Sequence, residues 1–188
     1  MRSPTDDEDD EAAQEAAEEA RQKLAKGPLY MTPRGHTILV DELAALGAER
    51  AKVVQTVSDA AAEGDRSENA EYIYGKRRLR QIDGRMRRVR KIIEAAVLID
   101  PTLDRGDRIF FGATVILESA VLEGAVLTGA EQVTYQLVGE HETDAALHRI
   151  SFQSPLGVAL LKKEVDDVVR VETPSGRRTY MVIAVRYE

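Results

Sequence analysis

Two apolar heptad series on either side of a short acidic turn constrain this chain more than any other feature. Leu39, Leu43, Leu46, Val53, Val57 and Ala60 recur at alternating four- and three-residue steps, with the polar Arg50 occupying one slot. The rhythm resumes in Tyr72, Gly75, Leu79, Ile82, Met86, Val89, Ile93 and Ala96. That spacing lines one face of a helix with apolar side chains. Two such segments joined by a short turn must run antiparallel, so the pattern predicts a two-helix coiled coil. Arms of roughly 30 residues are ~45 Å long at the helical rise. Thr32-Pro33 supplies the start signal, Thr32 as N-cap and Pro33 at the first helical position. Gly75 and Gly84 each disfavour the second helix by about 1 kcal/mol relative to Ala and read as local weak points.

The turn itself is Glu63-Gly64-Asp65-Arg66-Ser67-Glu68-Asn69-Ala70-Glu71-Tyr72. Gly64 supplies the permissive backbone that a tight reversal needs. Asp65 is placed to cap the second helix, with Glu68 three residues on in the capping-box position. The same spacing suits a divalent metal, because hard oxygen donors favour Mg²⁺, which takes one or two protein carboxylates and keeps its waters. On residues alone, a plain cap and a weak metal site stand level. Immediately after the turn comes a dense cationic series: Lys76, Arg77, Arg78, Arg80, Arg85, Arg87, Arg88, Arg90 and Lys91, with Asp83 the one acid among them. These fall on the flanks and outside of the apolar seam. Ion pairing within the helix cannot offset a series so nearly of one sign, which favours a polyanion partner over a merely solvated face. The predominance of Arg suits bidentate phosphate contacts.

Charge distribution limits where such a partner binds. The net charge is −7, yet residues 28–102 hold 13 bases against 11 acids and are the one net-basic segment. Bulk charge therefore excludes a general polyanion binder and leaves a local one. The chain has no cysteine, which removes disulfides and thiol chemistry and suits a reducing cytoplasm. No apolar run approaches the ~18 residues of a membrane span, and the acidic N-terminus is unlike an export signal. His36, His141 and His148 show no metal-binding spacing, the serines have no neighbouring base, and no glycine-rich phosphate loop is present.

The remaining chain divides readily. Residues 1–27 form an acidic tail, expected to be disordered because like charges repel and bury nothing; an arm folding back on the basic helix is the sharper alternative. Residues 28–100 form the coiled coil, with its acidic tip at 63–69. Residues 101–106, bounded by Pro101 and Gly106, read as a linker. Residues 107–188 change to the strand period. Strands are expected at Arg108–Glu118, Val133–Gly139 and Arg149–Phe152, with a closing hairpin of Val168–Glu172 and Thr179–Tyr187 about Pro174-Ser175-Gly176. Ser154-Pro155 starts a short helix from Leu156 to about Lys163. The class is α+β: an antiparallel two-helix coiled coil followed by a small domain on an antiparallel sheet.

Gly64 to Tyr72, followed by Lys76-Arg77-Arg78-Leu79-Arg80-Gln81-Ile82-Asp83, resembles the Gre transcript-cleavage factors of bacterial RNA polymerase, and among them the GreB branch. Met31-Thr32-Pro33-Arg34-Gly35 is similar to the start of that family's first helix. Phe110-Phe111-Gly112-Ala113 and the segment from Ser154-Pro155-Leu156 through Leu160-Leu161-Lys162-Lys163-Glu164-Val165 are similar to its C-terminal domain. The resemblance covers residues 29–188. It implies an FKBP-like C-terminal domain that docks on the rim of the polymerase secondary channel, with Ser154 and Pro155 in the contact loop. It implies that the coiled coil enters the channel, where Asp65 and Glu68 help hold a second Mg²⁺ that activates water for attack on backtracked RNA, as in two-metal chemistry. Ser67 would orient the tip or that water. Lys76, Arg77, Arg78, Arg80, Arg85, Arg87 and Arg88 would lie near the 3′ end of the nascent RNA, where phosphate contacts are independent of sequence. The protein would be a cytoplasmic monomer and an accessory factor rather than an enzyme.

Gln153 before Ser-Pro, Gly75, Gly84, the acidic tail and the Ser119–Gln132 segment depart from the family pattern. Two other readings compete: a channel-binding regulator that does not stimulate cleavage, and a coiled-coil scaffold that binds RNA directly. The intact Asp65/Glu68 pair favours the cleavage factor.

Overall fold

The computed structural model describes Glu19 and residues 27–62, 70–120, 122–123, 126–127, 131–173 and 176–188. They form two compact units, residues 34–96 and the chain on either side of them.

The first unit consists of two long helices, α1 (Pro33–Ala62) and α2 (Ala70–Ala95). Every apolar seam position expected from the heptads is covered. Leu39, Ala60, Ile82 and Val89 are buried, and Leu43, Leu46, Val53, Val57, Leu79, Met86 and Ile93 are half-buried. Partial burial is what a pair of helices can achieve, because a two-stranded seam has no third wall. Three ion pairs set the register. Arg85 grips Glu42 with two hydrogen bonds, Nε to Oε1 at 2.5 Å and Nη2 to Oε2 at 2.7 Å. Arg78 binds Glu49 at 2.6 Å and Arg50 binds Asp83 at 2.7 Å. Moving up α1 from Glu42 to Glu49 moves the partner down α2 from Arg85 to Arg78, which makes the helices antiparallel. The polar Arg50 in the apolar series is thereby answered by Asp83, the lone acid of the cationic series.

The two glycines of α2 differ. A Cβ on Gly75 would collide with Cγ2 of Val57, so this glycine lets α1 and α2 close on each other and is no simple weak point. A Cβ on Gly84 would meet only the Arg88 guanidinium, at an ordinary 3.7 Å.

The second unit is built on a five-stranded sheet in the order β7-β6-β3-β9-β8, from β3 (Thr114–Ala120), β6 (Gln132–Val138), β7 (Arg149–Ser151), β8 (Val168–Thr173) and β9 (Gly176–Arg186). Two short pairs accompany it: β1 (Leu29–Met31) with β2 (Ala96–Leu98), and β4 (Leu122–Glu123) with β5 (Val126–Leu127). The core is a period-two stripe, Ile109, Phe111, Ala113, Val115 and Leu117, met by Leu137, Phe152, Leu160, Val169, Val171, Tyr180 and Val182. Alternation of this kind places one face of each strand inward. Tyr30 of β1 joins the core through its ring, 5.8 Å from Phe111 and 6.0 Å from Phe152.

The sheet is mixed, where an antiparallel one was expected, because β6 and β7 pair in parallel. The intervening stretch from Gly139 to His148 contains a 3₁₀ turn (Glu140–Glu142) and an Asp144 turn, and is long enough to carry the chain back across the edge, which a tight hairpin cannot do. The expected first strand begins late, at Thr114. Before it the backbone turns, with Gly112 at φ +92° and Ala113 N–H donating to the Phe110 carbonyl. At Gly112 a Cβ would come within 3.0 Å of Pro101, so Pro101 of the 101–106 segment is seated against this turn. The short helix α3 (Pro155–Leu160) stops before Lys163 because Ile109 exchanges backbone hydrogen bonds with Lys162 and Lys163, at 2.7 and 2.8 Å.

Buried Glu142 closes the N-terminal end of this unit. Its carboxylate accepts from Thr32 N–H at 2.9 Å, from the Thr32 hydroxyl, and from Gly139 N–H at 3.1 Å. A buried carboxylate is tolerated when several donors meet it. These bonds tie the residue before α1 to the loop before β7.

Gly84→Ala is predicted to stabilise the full chain by about 1 kcal/mol, the helix-propensity difference. Gly75→Ala is predicted to destabilise it by about 1–3 kcal/mol, the usual result of overpacking. Thermal unfolding of the two variants checks both signs; the reverse order would refute the close contact at Gly75.

Candidate nucleic-acid interface

The acidic segment 63–69 links α1 to α2 in sequence, and Asp65, Ser67 and Glu68 within it lie outside the described residues. The Asp65 cap and the Asp65/Glu68 metal site expected from the sequence both fall in that segment. Among the described residues no group of three or more His, Asp or Glu side chains is arranged to hold a metal.

The cationic series of α2 is described, and eight of its nine members divide into two sets; the ninth, Arg90, is exposed on a flank of the seam and, among the described residues, enters no ion pair. Arg78 and Arg85 turn toward α1 and are held by Glu49 and Glu42. The hydrogen bond to each carboxylate raises the pKa of its guanidinium further above the ordinary value. Lys76, Arg77, Arg80, Arg87, Arg88 and Lys91 are exposed, and among the described residues none of them enters an ion pair. At about 100° per residue these six fall within an arc of about 120° on the face of α2 away from the seam. From Lys76 to Lys91 the stripe runs ~22 Å at the helical rise. A row of unneutralised cations on a rigid helix suits the regularly spaced charges of a phosphate backbone. Of the seven cations expected to contact RNA, the geometry groups Lys76, Arg77, Arg80, Arg87 and Arg88 and assigns a second, structural task to Arg78 and Arg85.

Ser154 and Pro155 open α3. Ser154 Oγ accepts from Gly157 N–H at 3.1 Å and Pro155 occupies the first turn, the arrangement that Ser-Pro implies. Pro155 is exposed and Ser154 half-exposed. A Cβ on Gly157 would strike the Ser151 carbonyl, which fixes how closely this helix approaches β7.

Two antiparallel helices with one cationic outer face, linked in sequence by the acidic segment 63–69, and a small mixed-sheet domain define a two-unit protein built on a helical hairpin. The comparisons agree. Residues 29–98 match the family described as "Transcription elongation factor, N-terminal", and residues 104–187 match "Transcription elongation factor, GreA/GreB, C-term". The chain belongs to the GreA/GreB family of transcription elongation factors. It is 46% identical over 159 residues to transcription elongation factor GreB of Yersinia pestis, covering 84% of this chain and 88% of that one. It is 49% identical over 160 residues to GreB of Haemophilus influenzae, covering 85% and 96%. Among solved structures it is similar to GreA factor homolog 1 of Thermus thermophilus, at 25% identity, 85% and 99% coverage and a TM-score of 0.38.

Ser154→Ala is expected to lower the unfolding free energy by about 1 kcal/mol, and Ser154→Asp to retain most of it, as for other helix caps. Chemical denaturation of the three proteins reads this directly; equal losses in both variants would show that the hydroxyl acts otherwise than as a cap.

Proposed function

We propose that this chain binds bacterial RNA polymerase, inserts its helical hairpin into the secondary channel and stimulates cleavage of the 3′ end of backtracked nascent RNA. Family membership supports the polymerase as partner. The rest is carried by the cations without ion pairs on the outer face of α2, a helix that follows in sequence a segment bearing Asp65, Ser67 and Glu68. In this reading the Lys76–Lys91 stripe neutralises phosphates of the extruded RNA without regard to sequence. Asp65 and Glu68, hard oxygen donors, fit Mg²⁺ and would hold it jointly with the polymerase. Held there, the ion would supply Lewis-acid stabilisation and would lower the pKa of water so that, on losing a proton, it becomes nucleophilic enough to attack phosphorus. Ser67 orients the carboxylates or that water. Ser154 and Pro155, at the exposed start of α3, contact the channel rim. The protein serves as an accessory factor to the polymerase's own cleavage activity, as a monomer in the cytoplasm. Among the described residues no helix is long and apolar enough to cross a membrane.

The test is RNA cleavage in a stalled, backtracked elongation complex with Mg²⁺. The wild-type chain is expected to shorten the RNA from its 3′ end. Asp65→Asn and Glu68→Gln are expected to bind polymerase normally while the cleavage rate falls by about 100-fold or more, the scale of losing a charge-stabilising group. A wild-type chain that binds polymerase but leaves the RNA intact would instead make the protein a channel-binding regulator.

A further inference from the structure

The first described turns of α2 expose two large apolar side chains in succession, Ile73 at 50% and Tyr74 at 67% of their full exposure. Neither belongs to the seam, which Tyr72 and Gly75 continue on the opposite side of the helix. Among the described residues the Tyr74 ring makes no ring contact and its hydroxyl no hydrogen bond, whereas Tyr30 and Tyr187 are both engaged. An aromatic left this open forgoes most of the ~25 cal/mol per Å² that burial would return. Its location gives it a use. Tyr74 lies one helical turn before Arg77 and Arg78, and Ile73 one turn before Lys76 and Arg77, within side-chain reach along the helix surface. The apolar pair therefore caps the end of the cationic stripe nearer the acidic turn.

We propose that Tyr74, flanked by Ile73, is a base-stacking platform for single-stranded RNA whose phosphates run along the Lys76–Lys91 stripe. The inference rests on the reading that the stripe contacts RNA and adds a second kind of contact to it. Charges alone let a strand slide, since every phosphate is alike. A ring face at one end of the stripe accepts any base and holds one nucleotide in place, so it adds register without sequence preference. Arg77, one turn away, is positioned to neutralise the phosphate beside the stacked base. The occupant is a nucleic-acid strand rather than an apolar protein groove, because the side chains one turn further along α2 from Ile73 and Tyr74 are Lys76, Arg77 and Arg78, with exposed Glu71 one turn before Tyr74 the one acid beside them.

The experiment measures binding of the full chain to a labelled single-stranded oligoribonucleotide from 50 to 200 mM salt, for wild type, Tyr74→Phe, Tyr74→Ala and the double variant Arg77→Gln/Arg80→Gln. Tyr74→Phe should bind as wild type. Tyr74→Ala should bind about 5- to 150-fold more weakly at every salt concentration, the span of one lost base stack. Its salt slope should be unchanged, whereas the double arginine variant should flatten the slope by about 1.4. Wild-type affinity in Tyr74→Ala, with the arginine variant still flattened, overturns the platform and leaves the stripe standing. Absence of RNA binding by the wild-type chain overturns both. Tyr74→Ala that keeps its RNA affinity but loses affinity for polymerase makes the ring a protein-docking group and also overturns the proposal. Because Tyr74 is exposed, helicity of the variants by circular dichroism should match wild type.

Discussion

Pairing two helices of 30 and 26 residues along a single seam demands an explicit register, because a two-helix seam buries too little to exclude sliding by packing alone. Here the register is written in charge and in one missing side chain. Arg85 on Glu42 and Arg78 on Glu49 fix two levels of the hairpin, and Arg50 on Asp83 fixes a third. Exposed pairs of this sort add little stability, so their value lies in register: a slip of one heptad would leave one of the two Glu–Arg pairs unmade and set Arg50 opposite Lys76 or Arg90. Gly75 against Val57 acts alongside them, since the close approach exists at only one alignment. Everything proposed for the acidic turn depends on this register, because it decides where the two helices end.

The same helix carries two populations of cations with different tasks. Those facing α1 are neutralised by carboxylates and hold the hairpin. Those facing away are left without ion pairs among the described residues, although the chain as a whole is acidic. Self-repulsion along that face opposes folding, and relief of it on meeting a polyanion favours binding through counterion release. A scaffold and the proposed binding surface thus share one run of sixteen residues, Lys76 to Lys91, separated by the difference in direction that the helical repeat imposes.

Much of this was legible from spacing. The heptad series located both helices and every seam residue, because the period of apolar side chains and the period of the helix are the same physical fact. Ser154-Pro155 was readable as a helix start because a cap is local. What escaped was non-local. Glu142 reaches Thr32 across 110 residues, and neither neighbourhood hints at the other. The parallel pairing of β6 and β7 depends on how a loop crosses an edge, with the length of the Gly139–His148 stretch the one available signal. Gly75 read as a weak point because propensity sees its own helix and not Val57 on the other. The division of the arginines needed the register of α1 against α2. Asp65, Ser67 and Glu68 were conspicuous in the sequence but lie outside the described residues, so their case rests on chemistry and kinship.

The central claim is that the arginines of α2 are split between holding the hairpin and meeting RNA. It is tested most directly by measuring, on the same two double variants, the unfolding free energy and the rate of RNA cleavage in a backtracked elongation complex. Arg78→Gln/Arg85→Gln should lower stability slightly, as expected of exposed pairs, and retain cleavage below its unfolding temperature. Arg77→Gln/Arg80→Gln should keep or gain stability and lose cleavage. Loss of cleavage in the first variant with full activity in the second would contradict the account.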